Sequence, residues 1–481
     1  MFEFLLASQP TPESTVLLDR LRETRRTEAQ AAAARLVAVG DLLRLRCRQS
    51  GEQADWAADA WEAVAAQVAA ALQCSVARAH GYLQNAIAMR DRVPHVGAVF
   101  QAGDIDYRAF QTIVFRTDLI TDPEVLAKVD AQLAALTSRR PSLTRGGLAA
   151  AVDQVVANVD ADAVRRAKKA AADRYVDVVT DQTGMAWLSG NLFGTDGQAL
   201  DRRLDELAGS VCEADPRSRR QRRADALGAL AAGADRLGCR CGNRECPAGG
   251  RAASPVVIHV IAEQATVQGT GTKPGVMPGA EGLIPAELVA ELAASARLVP
   301  MAASTAAEPR YTPSAKLAEF VRCRDLTCRA PGCDQPATRC DVDHTIPYGD
   351  GGGTHTSNLK SLCRLHHLMK TFWGWRDEQL PDGTVIWRLP DGHTYVTTPG
   401  SALLFPSLCV PTGDPPAREM PAAERCGDRT AMMPLRRRTR AQNRAHRIAA
   451  ERRRNRRARL ATQSAQAGAP PPEGDDEPPP F

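Results

Sequence analysis

Four soft or borderline metal ligands fall in this chain as two close pairs, Cys328/Cys333 and Cys363/His366. This restricts the fold more than any other feature, because one ion can hold only what the backbone brings into a single tetrahedron. Four residues separate Cys328 from Cys333, and Pro331-Gly332 makes a tight turn between them. Two residues separate Cys363 from His366, so both can point to one side of a helix start. About 30 residues lie between the pairs, enough for a hairpin. Tetrahedral Cys3His coordination of a structural Zn2+ follows as an expectation, with ordinary buried thiols or a disulfide as the alternative. A structural zinc contributes on the order of 10 kcal/mol to a small module. That matters here, because the segment has few large apolar residues with which to build its own core.

Between and beside the pairs stand Asp343, His344, Asn358 and His367, residue types that activate a water and bind a hard cation. His344 precedes Asn358 by 14 positions and His367 follows it by nine. Taken singly each has a plainer reading: a histidine in the core, a His367 that merely packs beside His366, an N-capping Asn358. As a set, with Asp343-His344-Thr-Ile-Pro347 and Asn358-Leu-Lys-Ser-Leu-Cys363 around them, they resemble the HNH nuclease motif of the ββα-metal fold. That resemblance implies that His344 is the general base and that Asn358 braces the loop that orients it. It implies that Asp343 and His367 hold one divalent cation (Mg2+, Mn2+ or another), while Cys328, Cys333, Cys363 and His366 hold the zinc. The chemistry is coherent. An imidazole suits a base at neutral pH, and one cation can neutralise charge on both the phosphorane and the leaving oxygen.

A chain of 481 residues is too long for one core, so two or three domains are expected. Alanine carries much of the apolar content and aromatics are only 5%, which favours helices. The start, Met-Phe-Glu-Phe-Leu-Leu, has no basic region and too short an apolar run for a signal peptide, and no uncharged run reaches the length of a membrane span. A cytoplasmic protein without membrane contact is expected, its thirteen cysteines reduced and their pairs disposed toward metal.

The fold class expected is multidomain: a flexible N-terminus (1–27), a mainly α-helical region with a small β-hairpin (28–310), a small α+β zinc-stabilised domain (311–400) and a disordered tail (401–481). Leu36, Val39 and Leu43, then Trp61, Val64, Val68 and Leu72, keep helical period, and Ser75 and Asp122-Pro123 read as helix starts. Leu148, Val152, Val155 and Val156 give another helix. Tyr175–Val179 and Met185–Ser189 flank a turn signal at Asp181–Gly184. The basic run Arg217 to Arg223 could meet phosphate, though a solvated helix start is favoured. Cys239, Cys241 and Cys246 could bind a second metal with an unidentified fourth ligand, or be plain loop thiols. Val256–Ile261 reads as a buried strand. Ser314–Arg324 is expected to be helical, Arg339–Val342 a strand, and Asn358–Met369 the metal-binding helix, with Lys370 following as a candidate phosphate contact. Short strands should follow Trp375. Between Arg436 and Arg459 there are twelve arginines and one acid, so the rest of the chain is net acidic against a total of +5. Such a run binds polyanions by counterion release, and Arg436, Arg437, Arg438, Arg452, Arg453 and Arg454 are its candidate contacts. The Pro-rich end, Gly468 to Phe481, reads as disordered.

The whole arrangement resembles the 13E12-repeat family of actinobacterial proteins, in which a helical DUF222 region precedes a C-terminal HNH endonuclease module. Phe320-Val-Arg-x-Arg324, Arg339-Cys-Asp-Val-Asp-His344, Cys363 to Lys370 and Trp375-Arg carry the match to the module; texture and order carry the match to the helical region. The resemblance implies an endonuclease linked to mobile genetic elements that hydrolyses DNA, with double-stranded DNA as partner and self-association through the helical region. The alternative is a noncatalytic, zinc-stabilised nucleic-acid-binding protein, which would need the cysteines and the tail but not His344.

Overall fold

The structure is a computed structural model. It describes residues 11–139, 144–164, 174–180, 185–243, 245–247, 259–278, 283–294, 296–302, 306–413 and 432–467. Thr11 opens the first helix through a capping box with Ser14, and Pro12 sits at the first helical position, where its missing N–H costs nothing. Helix α1 (Pro12–Ser50) thus begins well inside the stretch 1–27 expected to be flexible. The cap does there what packing does later: almost everything before Ala29 is exposed, and burial begins with Ala29, Ala33, Leu36, Val39 and Leu43. Helices α2 (Ala60–Leu72), α3 (Val76–Ile87), α4 (Pro94–Gln101), α5 (Tyr107–Thr117), α6 (Pro123–Arg139) and α7 (Arg145–Val159) complete the bundle. Their apolar stripes meet in one core that includes Val64, Leu83, Phe100, Phe110, Leu133 and Val152. Ser75 and Asp122 cap α3 and α6, as their positions in the sequence predict.

Strands β1 (Tyr175–Thr180) and β2 (Ala186–Asn191) pair antiparallel and are exposed on both faces; the turn expected at Asp181–Gly184 lies outside the described residues. Helices α8 (Gly194–Gly209) and α9 (Arg219–Ala231) pack as a hairpin. The basic run is more than a solvated helix start: Arg217 pairs with Asp215 and Asp225, and Arg223 with Asp201 and Asp205 of α8. The strand expected over Val256–Ile261 lies mostly outside the described residues, and its end, Ile261, bridges to Val276. Helix α10 (Gln264–Val267), the pair β3 (Gly275–Val276) and β4 (Leu283–Ile284), and α11 (Ala286–Ala293) follow.

The C-terminal module starts at α12 (Ala315–Asp325), capped by Ser314. Strands β5 (Asp341–His344) and β6 (Leu359–Leu362) form an antiparallel hairpin with Asp343 opposite Lys360 and His344 opposite Leu359. The helix expected over Asn358–Met369 is therefore shorter. Leu359–Leu362 is strand, buried along its length, and α13 (Arg364–Phe372) begins only after Cys363. Two buried charges of α12 hold β6 in place: Arg324 donates to the carbonyls of Thr356 and Leu359, and Asp325 accepts the Ser361 N–H. Strands β7 (Arg376–Gln379), β8 (Val385–Arg388) and β9 (Thr394–Thr397) form a meander whose Trp387, with Trp375, closes the core over Leu362, Leu368 and Met369. That core continues into α2, where Ala63, Ala66 and Ala70 pack against it and the Trp373 indole donates to Ala58 O.

The tail is not disordered through 401–481. Phe405 and Leu408 are buried against Phe320, and α14 (Arg440–Ala467) lies along the bundle. Arg440 pairs with Asp59 and Glu62, Arg452 with Asp160, Arg459 with Asp162, and Ile448 enters the bundle core. Acidic groups of the bundle thus supply the counter-charge that lets this arginine-rich segment hold a helix. The Pro-rich end, 468–481, lies outside the described residues. No helix among the described residues is long and apolar enough to cross a membrane.

Candidate metal centre

Cys328 and Cys333 sit on a turn after α12. Gly332 adopts the left-handed φ of +71°, and the Cys328 N–H donates to Gln335 O at 2.8 Å. Cys363 is the N-cap of α13, which places His366 in its first turn, one helical repeat away on the same face. The four ligand atoms lie within 4.8 Å of one another. The His366 Nδ1 is 3.2 Å from Cys363 Sγ and 3.7 Å from Cys328 Sγ, and the Cys333 and Cys363 sulfurs are 3.9 Å apart. The Cys363 N–H donates to Cys328 Sγ at 3.3 Å, a bond that favours thiolate. His366 is fully buried, which disfavours its charged form, yet its contacts with Cys328 and Cys363 outweigh that and push it up to about 10. This cluster can hold a metal ion, and three thiols with one imidazole are a donor set that suits zinc.

Successive residues of β5 point to opposite sides. Asp343 turns toward α13 and β6, where Oδ2 accepts from Lys360 and Lys370, each at 2.8 Å. Burial disfavours its charge, but the two ammonium groups prevail and hold the carboxyl at about 2. Lys360 is wholly buried and also pairs with Asp377 at 2.5 Å. Lys370, a candidate phosphate contact, instead turns inward to Asp343 and to the carbonyls of His344 and Thr345. The other Asp343 oxygen, Oδ1, faces His367 Nε2 at 3.5 Å. His367 Nδ1 is held by Asp341 Oδ2 at 2.9 Å, which fixes the ring so that Nε2 looks at Asp343. A cation about 2.1 Å from each of these two atoms fits between them. Asp341, Asp343 and Asp377 against Lys360 and Lys370 leave the patch one negative charge in excess when His367 is neutral.

His344 faces the other way, stacked on Tyr311 and edge-on to Tyr348. Its Nε2 meets Thr354 Oγ1 at 2.9 Å, and the Thr354 hydroxyl donates its proton to Arg310 O at 2.5 Å. Nε2 must therefore be the donor to Thr354, which leaves the lone pair on Nδ1. Burial lowers the imidazole to about 4, so it is neutral at neutral pH. Asn358 ties the 345–353 loop: Oδ1 accepts the Ile346 N–H at 2.8 Å, while Nδ2 donates to Ile346 O and Gly353 O. The chain passes itself so closely here that a Cβ on Gly352 would fall 1.9 Å from Ile346 O.

Asp343, His344, Asn358, His367 and Lys370 thus share one end of the β5–β6 hairpin. The expected arginine contacts do not form one group. Arg436 pairs with Asp59 and Glu62 and Arg452 with Asp160, whereas Arg437, Arg438, Arg453 and Arg454 are exposed. Sequence reasoning missed Asp341, although it shares a strand face with Asp343 two residues on. It also missed Lys360, Asp377 and Thr354. Cys239, Cys241 and Cys246 do come together, and the fourth member of their group is Cys212.

A helical bundle joined to a compact thiol-rich module is the class these features define. A model of a domain of unknown function, DUF222, matches residues 23–325, and the chain belongs to that family. It is similar over nearly its whole length to two Mycobacterium tuberculosis proteins. One is the uncharacterized protein Rv3776, 45% identical over 94% of this chain and 93% of the relative. The other is the uncharacterized protein Rv2100, 44% identical over 94% of this chain and 90% of the relative. No solved structure matches the chain.

Proposed function

We propose that the chain is an HNH-type, metal-dependent endonuclease that hydrolyses phosphodiester bonds of double-stranded DNA. The observation that carries this reading is the pairing, at one hairpin end, of an Asp343–His367 couple 3.5 Å apart with a neutral, anchored His344. Asp343 and His367 would hold one Mg2+, Mn2+ or similar cation. When bound, it would supply charge neutralisation at the scissile phosphate and the departing oxygen. His344, its Nε2 proton committed to Thr354, uses Nδ1 to take a proton from the attacking water. Asn358 keeps the loop beyond His344 from shifting, and Asp341 keeps the His367 lone pair aimed at the cation position. Cys328, Cys333, Cys363 and His366 would hold a structural Zn2+ that fixes α13 to the turn after α12.

A noncatalytic DNA-binding protein would have no use for a tautomer-fixed histidine beside an oriented carboxylate–imidazole couple. Incubation of the full chain with supercoiled plasmid and Mg2+ or Mn2+ separates the two readings. Nicked or linear product that disappears with EDTA supports the nuclease. A shift in plasmid mobility without any strand break supports binding alone.

A further inference from the structure

The α8–α9 hairpin and the loop that follows it have almost no core. Their buried apolar residues are Leu207, Ala208, Ala226, Ala234 and Leu237, none aromatic. Burial of that size does not hold 40 residues together. Yet at one end four sulfurs converge. Cys212 lies just beyond α8, and Cys239, Cys241 and Cys246 lie in the loop after α9; all four are free thiols within 4.8 Å of one another. The Cys212 and Cys239 sulfurs are 3.4 Å apart. A zinc ion about 2.3 Å from each of four sulfurs separates them by about 3.8 Å, within this spread.

The backbone is arranged around the sulfurs as well. The Ala214 N–H donates to Cys212 Sγ, and the N–H groups of Cys212 and Cys241 donate to Cys239 Sγ. Gly242, at a left-handed φ of +77°, turns the chain between Cys241 and Cys246. A buried ion pair frames the loop: Asp215 accepts the Arg240 N–H at 2.9 Å, and Arg217 donates to Gly238 O at 2.7 Å. N–H groups aimed at sulfur stabilise thiolates, and four thiolates this close require a cation.

We propose that Cys212, Cys239, Cys241 and Cys246 bind one structural Zn2+ that closes the α8–α9 hairpin, separately from the Cys328–His366 cluster. All four positions are protein sulfur, so no coordination site is left for water or substrate. The role is to staple two helices that cannot bury enough surface to stay together.

The test uses the full chain purified in the presence of zinc. Iodoacetamide followed by peptide mass spectrometry should leave these four cysteines unmodified until a chelator is added, after which all four become alkylated. Metal analysis should show the zinc content fall by one ion per chain in the Cys239→Ser/Cys241→Ser variant. The same fall should occur independently in Cys363→Ser, so a failure at one cluster is told apart from a failure at the other. Alkylation of the four in the zinc-loaded protein overturns the proposal even if the variants do not fold. Recovery of a Cys212–Cys239 disulfide peptide overturns it too, as does iron with visible absorption in place of zinc.

Discussion

In the module around Cys363, four ligand atoms buried within 4.8 Å tie a turn, a hairpin and a helix together. Helix α14 is held quite differently, through ion pairs to acids some 290 to 380 positions away, with Ile448 as its apolar anchor. Both segments are dense in residues that bind charged partners. In the module, short spacings fix which side chains can meet. In the tail, charge fixes only that counter-charges are needed, and Asp59, Glu62, Asp160 and Asp162 of the bundle provide them. A ligand pattern encodes its own geometry; a charge run does not encode its partner.

The contrast breaks most visibly by removing metal. Cys363→Ser should release zinc and unfold the module, since a structural site contributes on the order of 10 kcal/mol. Zinc content and a thermal melt followed through Trp375 and Trp387 fluorescence check it, and an unchanged metal count removes the Cys3His assignment. Ile448→Ala should cost α14 about 2 kcal/mol or more, read as a lower urea midpoint, while leaving zinc in place. No change there means that α14 does not depend on the bundle.

Exposed and inward arginines should separate in DNA binding. Replacing Arg437, Arg438, Arg453 and Arg454 by alanine should flatten the log–log salt dependence of affinity by about 3. Arg452→Ala, already paired to Asp160, should change that slope by less than 1 and stability by no more than about 1 kcal/mol. Equal effects on the slope would return the tail to an undivided polyanion contact.

Acid should sort the two regions by degrees. His344 titrates at about 4 in the fold against a reference of 6.5, so protons favour the unfolded chain and module stability falls as pH drops from 6.5 to 4. Glu62 is desolvated, yet His80 and Arg440 hold it at about 2 against 4.5, so the contact it makes with α14 weakens only between those values. Chemical denaturation at stepped pH, with separate probes for module and tail, reads both.

What was legible in the sequence was local. Ser314, Ser75 and Asp122 mark helix starts within one turn of themselves. Asp343 and His344 are placed by strand alternation, and Cys363 with His366 by helix repeat. What was not legible depends on distant partners. Cys212 precedes Cys239 by 27 residues, and nothing local marks it as the fourth sulfur. The helix expected from Asn358 gives way to a strand because β5 offers Leu359–Leu362 a complete hydrogen-bonding partner. Thr354 becomes the anchor of His344 only once the 345–353 loop folds back over it.

The central claim rests on His344 as the base. Plasmid cleavage with Mg2+ or Mn2+ by the wild type and by His344→Ala, with zinc content and DNA affinity measured on the same samples, tests it most directly. The account predicts a loss on the order of 10²- to 10⁴-fold in cleavage rate with both controls unchanged. Cleavage at the wild-type rate by a zinc-replete, DNA-binding His344→Ala protein would contradict it.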